Sequence, residues 1–350
     1  MGEILGLGVT HFPPLIGLDR NMANVLRLVL DDPGLDARYR DRRNWPEPMQ
    51  REYGDDGGTA SAAAHRDALV RHFRKARRVL DDFKPDLVLI WGDDQFENFT
   101  QDIIPPFCIL AYDDIECSYR TRDRAANVWR EAPDTVFRYK GHREAGKYLA
   151  RGLLEQGVDM AYAYKPLHHA GLAHAFLNTL LFLDYDRVGF PYPVLAFQVN
   201  CYGRRVIAQR GFRSDLAHPL AESDLDPPSP SPKRCMEVGA ATARALKESP
   251  WRVALIASSS WSHAFLVDKN HQLYPDIPAD RRLYKALRAG DYETWRSTPL
   301  AAIEESGQQE MLNWYMLAGA MEALGRKPDE CAFVESWTFN SNKCFAAFRP

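Results

Sequence analysis

The side chains of this chain best suited to hold a cation or move a proton are scattered widely. They are His11 in Thr10-His11-Phe12-Pro13-Pro14, the cluster Asp93-Asp94-Gln95, the group His168, His169 and His174, His263 in Ser258-Ser259-Ser260-Trp261-Ser262-His263, and Glu310. Imidazole changes charge close to neutral pH and ligates transition metals, so these histidines suit a metal centre or acid/base catalysis. For any one of them taken alone, a role satisfied by structural hydrogen bonds is the better reading.

Glu310 is the most informative of them. A helix expected over residues 308 to 324 would place it on one face with Trp314, Leu317 and Met321, where an amphipathic helix buries apolar groups. A carboxylate there needs compensation, from a metal, from an arginine, or from partial solvation and the dipole at the helix start. A carboxylate with two neutral ligands and open positions opposite is the arrangement of non-haem Fe(II) enzymes that activate oxygen. Zinc hydrolases use similar ligands around a bound water. Residue types alone leave both open.

The elements that must position these groups alternate. Leu5 to Val9 reads as a short buried strand ended by two prolines, which puts His11 at a strand's carboxyl end. Leu87 to Trp91 reads as a second buried strand running into Gly92-Asp93-Asp94-Gln95, and Val253 to Ala257 as another leading to His263. Leu69, Phe73, Ala76, Leu80 and Phe83 recur at helical spacing, predicting a helix from Ala62 to Phe83. Helices are expected near 142–156, 172–183 and 233–248, with strands near 159–164 and 193–199. This pattern predicts an α/β fold: a largely parallel or mixed central sheet with helices on both faces, its site beyond the strands' carboxyl ends.

Residues 31 to 60 lack periodicity and read as a surface excursion or a loop over a site. The segment 204–232 opens with Arg204, Arg205, Arg210 and Arg213 and closes with Pro227-Pro228-Ser229-Pro230-Ser231-Pro232. It predicts an insertion or lid in a single catalytic domain, 1–350, since strand-helix alternation resumes after it. Hydrophobic residues make up 45% and charged residues 26%, which excludes fibrous and wholly disordered classes. A net charge of -3 argues against nucleic-acid or anionic-membrane partners. Cys108, Cys117, Cys201, Cys235, Cys331 and Cys344 show no close metal spacing and are too sparse for a disulfide scaffold. With no signal-peptide pattern and no membrane-length apolar run, a soluble cytoplasmic protein is expected.

Taken in order, these motifs resemble the catalytic (beta) subunit of the class III extradiol ring-cleaving dioxygenases, typified by protocatechuate 4,5-dioxygenase. Gly8-Val9-Thr10-His11-Phe12-Pro13 is similar to the family's opening Thr-Ser-His-x-Pro, whose histidine ligates iron. Ser259-Ser260-Trp261-Ser262-His263 resembles Gly-Gly-x-Ser-His, whose histidine is the acid/base. Gly307-Gln308-Gln309-Glu310-Met311-Leu312-Asn313-Trp314 resembles the segment supplying the glutamate ligand, and Gly171-Leu172-Ala173-His174 the one whose histidine faces substrate. Pro232-Lys233-Arg234-Cys235 and Ser341-Asn342-Lys343 match further family segments.

The chain departs from the pattern at the second histidine ligand. Counting back from Ile103-Ile104-Pro105-Pro106 puts Gln95 at that position, with Asp94 and His65 as alternative donors. The resemblance implies an Fe(II) centre, or another divalent metal, on His11, Gln95 and Glu310, with His263 and His174 as catalytic residues. It implies O2-dependent cleavage of a catechol-like or aminophenol-like ring, in a homodimer or with a separate small subunit. Gln95 keeps two rivals open: a metal-dependent hydrolase or lyase without O2, and a metal-free binding protein. Arg204, Arg205 and Lys165 are candidates for a substrate carboxylate.

Overall fold

A computed structural model describes residues 2–119, 127–168, 170–211, 213 and 216–350. Its ten strands are β1 (Ile4–Val9), β2 (Leu87–Asp93), β3 (Phe107–Leu110), β4 (Asp114–Ser118), β5 (Val136–Lys140), β6 (Ala161–Ala163), β7 (Val194–Val199), β8 (Val253–Ser258), β9 (Glu330–Val334) and β10 (Lys343–Phe348). Eight form one sheet in the order β6-β3-β7-β2-β8-β1-β10-β9, and β4 and β5 form a separate hairpin.

The sheet is mixed. Its centre, β7-β2-β8-β1, is parallel throughout, while β10 runs antiparallel to β1, β9 antiparallel to β10, and β3 antiparallel to β7. The apolar runs of the central strands have no polar alternation because helices cover both faces. Along β2, Leu87, Leu89 and Trp91 pack into one layer and Val88 and Ile90 into the other. The parallel strands share one direction, so the residues after β1, β2, β7 and β8 emerge at the same edge of the sheet.

The helices and strands expected around the central sheet are present at Thr59–Phe83, Arg143–Glu155, His174–Leu183, Pro232–Lys247, β6, β7 and β8. Two expectations change. The α-helix anticipated over 308 to 324 begins at Leu312 and ends at Ala323, and Glu310 lies in a 3-10 turn, Gln309–Met311, ahead of it. That helix is buried on every side as far as Met321, so Glu310 does not stand out on one apolar face. The supposed excursion 31–60 contains short helices at Ala37–Arg40 and Glu47–Tyr53. Leu35, Trp45 and Met49 pack there with Leu26, Val29 and Leu273 as a small satellite core.

Glycines seat the helix Leu312–Ala323 close to its neighbours. A Cβ on Gly8 of β1 would lie 2.1 Å from the Trp314 ring, and one on Gly319 would lie 2.0 Å from the Met236 carbonyl oxygen. Reciprocally, a Cβ on Gly239 would meet the Met316 carbonyl oxygen at 1.9 Å. In the segment 204–232, Gly203–Ala208 is helical and Pro232 starts the next helix, capped by Ser231, whose hydroxyl accepts from the Arg234 N–H. Among the described residues no helix is long and apolar enough to cross a membrane.

Candidate metal centre

Four chain segments meet at the carboxyl edge of the parallel strands. β1 ends at Val9, and the chain turns through Thr10, whose hydroxyl bonds Ser260 Oγ at 2.8 Å. His11 follows, 1% exposed, with Nδ1 donating to the Ser258 carbonyl at 3.1 Å. A carbonyl only accepts, so the proton stays on Nδ1 and Nε2 is turned inward. Nε2 lies 3.3 Å from Glu310 Oε2 and 3.7 Å from Asp93 Oδ1.

Asp93 is the last residue of β2 and has no exposed surface. Its Oδ1 accepts from Asn313 Nδ2 at 3.2 Å, and its buried Oδ2 has no hydrogen-bond partner among the described residues. Glu310 offers the complementary picture: Tyr202 donates its hydroxyl to Oε1, and among the described residues the buried Oε2 faces only the imidazoles of His11 and His263. His263 Nε2 is also 3.3 Å from that oxygen.

His263 is placed by the turn after β8. Its N–H donates to the Gly307 carbonyl at 2.7 Å. Gly307 has φ +64, and a Cβ there would lie 2.6 Å from the His263 carbonyl oxygen, so both its conformation and the close approach require glycine. Beneath the turn, Asp280 is fully buried and accepts from Ser262 N at 3.1–3.2 Å, Gln308 Nε2 at 2.6 Å and Asn342 Nδ2 at 2.7 Å. One carboxylate thus binds the segments bearing His263, Glu310 and Lys343 together.

The charges follow from this crowding. Burial alone would raise the Glu310 carboxyl, but His263 and then His11 outweigh it and hold it down to about 2. Burial opposes a charge on His11, yet Glu310 and Asp93 prevail and raise it to about 9. Asp93, desolvated and beside Glu310, is pushed well above the usual carboxylate range. Burial lowers His263 and favours its neutral form. Two buried carboxylates whose inward oxygens face imidazoles are a donor set for a divalent cation, which would displace the His11 proton.

The structure brings His11, His263, Glu310 and His174 into one region and treats Gln95 differently. His11, Asp93 and His174 offer metal-binding atoms all within 4.8 Å of one another, and the His11 and His174 rings meet edge-on at 5.2 Å. Where the resemblance put Gln95, the acidic group beside His11 and Glu310 is Asp93, two residues earlier. Gln95 Nε2 donates instead to the Gly211 carbonyl at 2.8 Å. The Asp94 carboxylate is taken up by the N–H groups of Glu97 at 2.8 Å and Asn98 at 2.7 Å. His65 is buried between Phe12 and Phe339. His168 pairs with Asp102 at 2.7 Å, and His169 lies outside the described residues. Arg204 and Arg205 pair with Glu222 and Asp268, and Lys165 is exposed.

Sequence reasoning missed Tyr202, Glu97, Asp280 and the part taken by Asp93. Only Asp93 carried a local signal, as an acid closing an uninterrupted apolar strand. Tyr202 and Glu310 are 108 positions apart, and no spacing rule connects them.

Residues 218–346 match the family model of the catalytic LigB subunit of aromatic ring-opening dioxygenase. The chain is similar to the class III extradiol dioxygenases. Among similar proteins, a 2,3-dihydroxyphenylpropionate/2,3-dihydroxicinnamic acid 1,2-dioxygenase of Rhodococcus jostii (strain RHA1) is 34% identical over 103 residues, 29% of each chain. The enzyme of that name from Comamonas testosteroni is 24% identical over 238 residues, 68% of this chain and 58% of its own. That from Photorhabdus laumondii is 22% identical over 207 residues, 59% of this chain and 51% of its own. The chain therefore spans between about a third and rather more than half the length of these extradiol relatives. The LigB match includes His263, Glu310 and Asp280, and begins well after β1 and β2.

Proposed function

We propose that this chain is a metal-dependent extradiol dioxygenase that opens a catechol-like or aminophenol-like ring with O2. One observation carries the reading: the Glu310 carboxylate, buried at the carboxyl edge of the parallel strands, turns one oxygen to the imidazoles of both His11 and His263 at 3.3 Å. The LigB match over the segment bearing two of those three residues supports it. The relatives' names point to a catechol carrying a carboxylate side chain as the first substrate to try.

His11, Asp93 and Glu310 are the groups that would hold the ion, Fe(II) in the family pattern. When bound, such an ion would supply the Lewis-acid and redox chemistry for a catechol-like ring and O2. The protein's own part is orientation and proton transfer. Ser258 and Asn313 orient His11 and Asp93 through the hydrogen bonds described, and Tyr202 holds one oxygen of Glu310. His263, neutral by burial, has Nε2 turned to the same interior and is the group that takes a proton from a substrate hydroxyl and later returns one. The near-zero exposure of these side chains keeps bulk water from the reacting groups.

The test is anaerobic loading with Fe(II), then oxygen uptake against 2,3-dihydroxyphenylpropionate, simpler catechols, gallate-like acids and aminophenols. Substrate-dependent uptake of one O2 per ring opened is expected, with His263→Ala lowering kcat by about 10²–10⁴-fold. Turnover that proceeds without O2 on zinc or manganese would replace this reading with a hydrolase or lyase.

A further inference from the structure

We propose that His174, oriented by Glu97, supplies the second imidazole of the metal site, in place of the histidine that Gln95 displaces. This rests on the metal-dependent reading above, but it changes where a ligand comes from: the start of the helix His174–Leu183, not the loop after β2.

The first support is position. His174 is 3% exposed, its ring packs edge-on against His11, and one of its ring nitrogens lies within 4.8 Å of potential ligand atoms of His11 and Asp93. The second is the grip on its ring. Glu97 Oε1 lies 2.6 Å from His174 Nδ1, while Glu97 Oε2 accepts from the His174 backbone N–H at 2.7 Å. A carboxylate holding a histidine at both ring and backbone fixes its side-chain rotation and puts the proton on Nδ1. The lone pair for a cation is then on Nε2. A carboxylate on the far nitrogen is the usual support of a metal-bound histidine, setting its tautomer and raising its basicity.

The third support is how the chain builds Glu97 into place. Asp94 accepts from the N–H groups of Glu97, Asn98 and Phe99, closing a tight turn directly after β2. Phe96 within it has φ +59, a conformation a bulky side chain adopts only under constraint. Asn98 Nδ2 donates to the Gly171 carbonyl at 3.0 Å, which joins this turn to the segment just ahead of His174. The turn that the family pattern uses to present a ligand is used here to present the ligand's carboxylate partner. Asp94 and Gln95 are committed to neighbouring backbone groups, as described above.

The test is metal binding, with no turnover needed. Fe(II) is titrated anaerobically into the metal-free full chain, and X-ray absorption counts the imidazoles on the ion. Two are expected in the unaltered chain and one in His174→Ala. Glu97→Gln, close to isosteric, is expected to weaken Fe(II) affinity about tenfold or more while the circular dichroism spectrum is unchanged. A single imidazole in the unaltered chain, or two in folded His174→Ala, overturns the proposal and leaves the metal-dependent reading standing. Should His174→Ala not fold, the count in the unaltered chain and the Glu97→Gln affinity still decide. No Fe(II) binding by the unaltered chain overturns both readings.

Discussion

The candidate site has two walls of different origin. One, formed by the turn after β8 and the segment ahead of the helix Leu312–Ala323, carries His263 and Glu310 and falls inside the LigB match. A single buried carboxylate, Asp280, ties these two segments to the one bearing Lys343. The other wall, formed by β1, the turn after β2 and the helix His174–Leu183, lies outside that match and departs from the pattern at Gln95. There Asp94 gathers three N–H groups of its own turn, but the ties between segments are pairwise: Glu97 to His174, Gln95 to Gly211, Asn98 to Gly171. The contrast teaches that a hub-held wall tolerates little exchange, because one substitution strands several donors, whereas a wall of separate pairs can exchange one ligand source for another.

The comparison can be broken most sharply at Glu310. Glu310→Gln removes the charge facing both imidazoles with little change of shape. It should weaken divalent-metal binding by on the order of 100-fold or more, measured by titration calorimetry. Retained affinity would shift the site's weight to the Asp93 wall. Next in size, Asp280→Ala leaves three buried donors without an acceptor and should cost roughly 3 kcal/mol in urea unfolding. A loss below about 1 kcal/mol would mean that Asp280 does not hold these segments together.

A smaller effect is set by pH. The His11 imidazole is held up to about 9 in the metal-free chain by Glu310 and Asp93, against an ordinary value of 6.5. Its contribution to stability is therefore complete below about 6.5 and disappears as pH rises through about 9. The urea midpoint of the metal-free chain should fall over that interval, and metal affinity should rise over it as the competing proton leaves. A His11→Gln chain should lose this pH dependence. Smallest of all, Gln95→His restores the family residue to a position whose side chain is turned to Gly211. It should alter metal affinity by less than about threefold, by comparison with the roughly 10–100-fold that a metal's supporting groups command. A gain of tenfold would show that the departing wall still has a vacancy.

What the sequence revealed follows the same division. Continuous apolar runs identify β1, β2, β7 and β8, because strands covered on both faces need no polar positions. The carboxyl ends of three of them then indicate His11, Asp93-Asp94-Gln95 and His263. Glu310 was legible through its neighbours Gly307 and Trp314, although the 3-10 turn around it was not. Its helix is apolar on all sides, and no periodicity marks where such a helix begins. β9, β10 and the β4-β5 hairpin escaped because each depends on a partner strand distant in sequence or on a half-buried face. The ties of Tyr202 to Glu310 and Glu97 to His174 span 108 and 77 residues, and only folding reveals them.

The glycine contacts around the helix Leu312–Ala323 have a consequence for Glu310 just ahead of it. With Gly8 against Trp314, and Gly319 and Gly239 each pressed against a carbonyl of the opposite helix, the separations are set by main chain meeting main chain and a ring meeting a strand. Such a seat has no slack along its axis. Changes in the bulk of surrounding core residues must be absorbed elsewhere, and the height of Glu310 above the sheet stays put while the opposite wall is free to diversify.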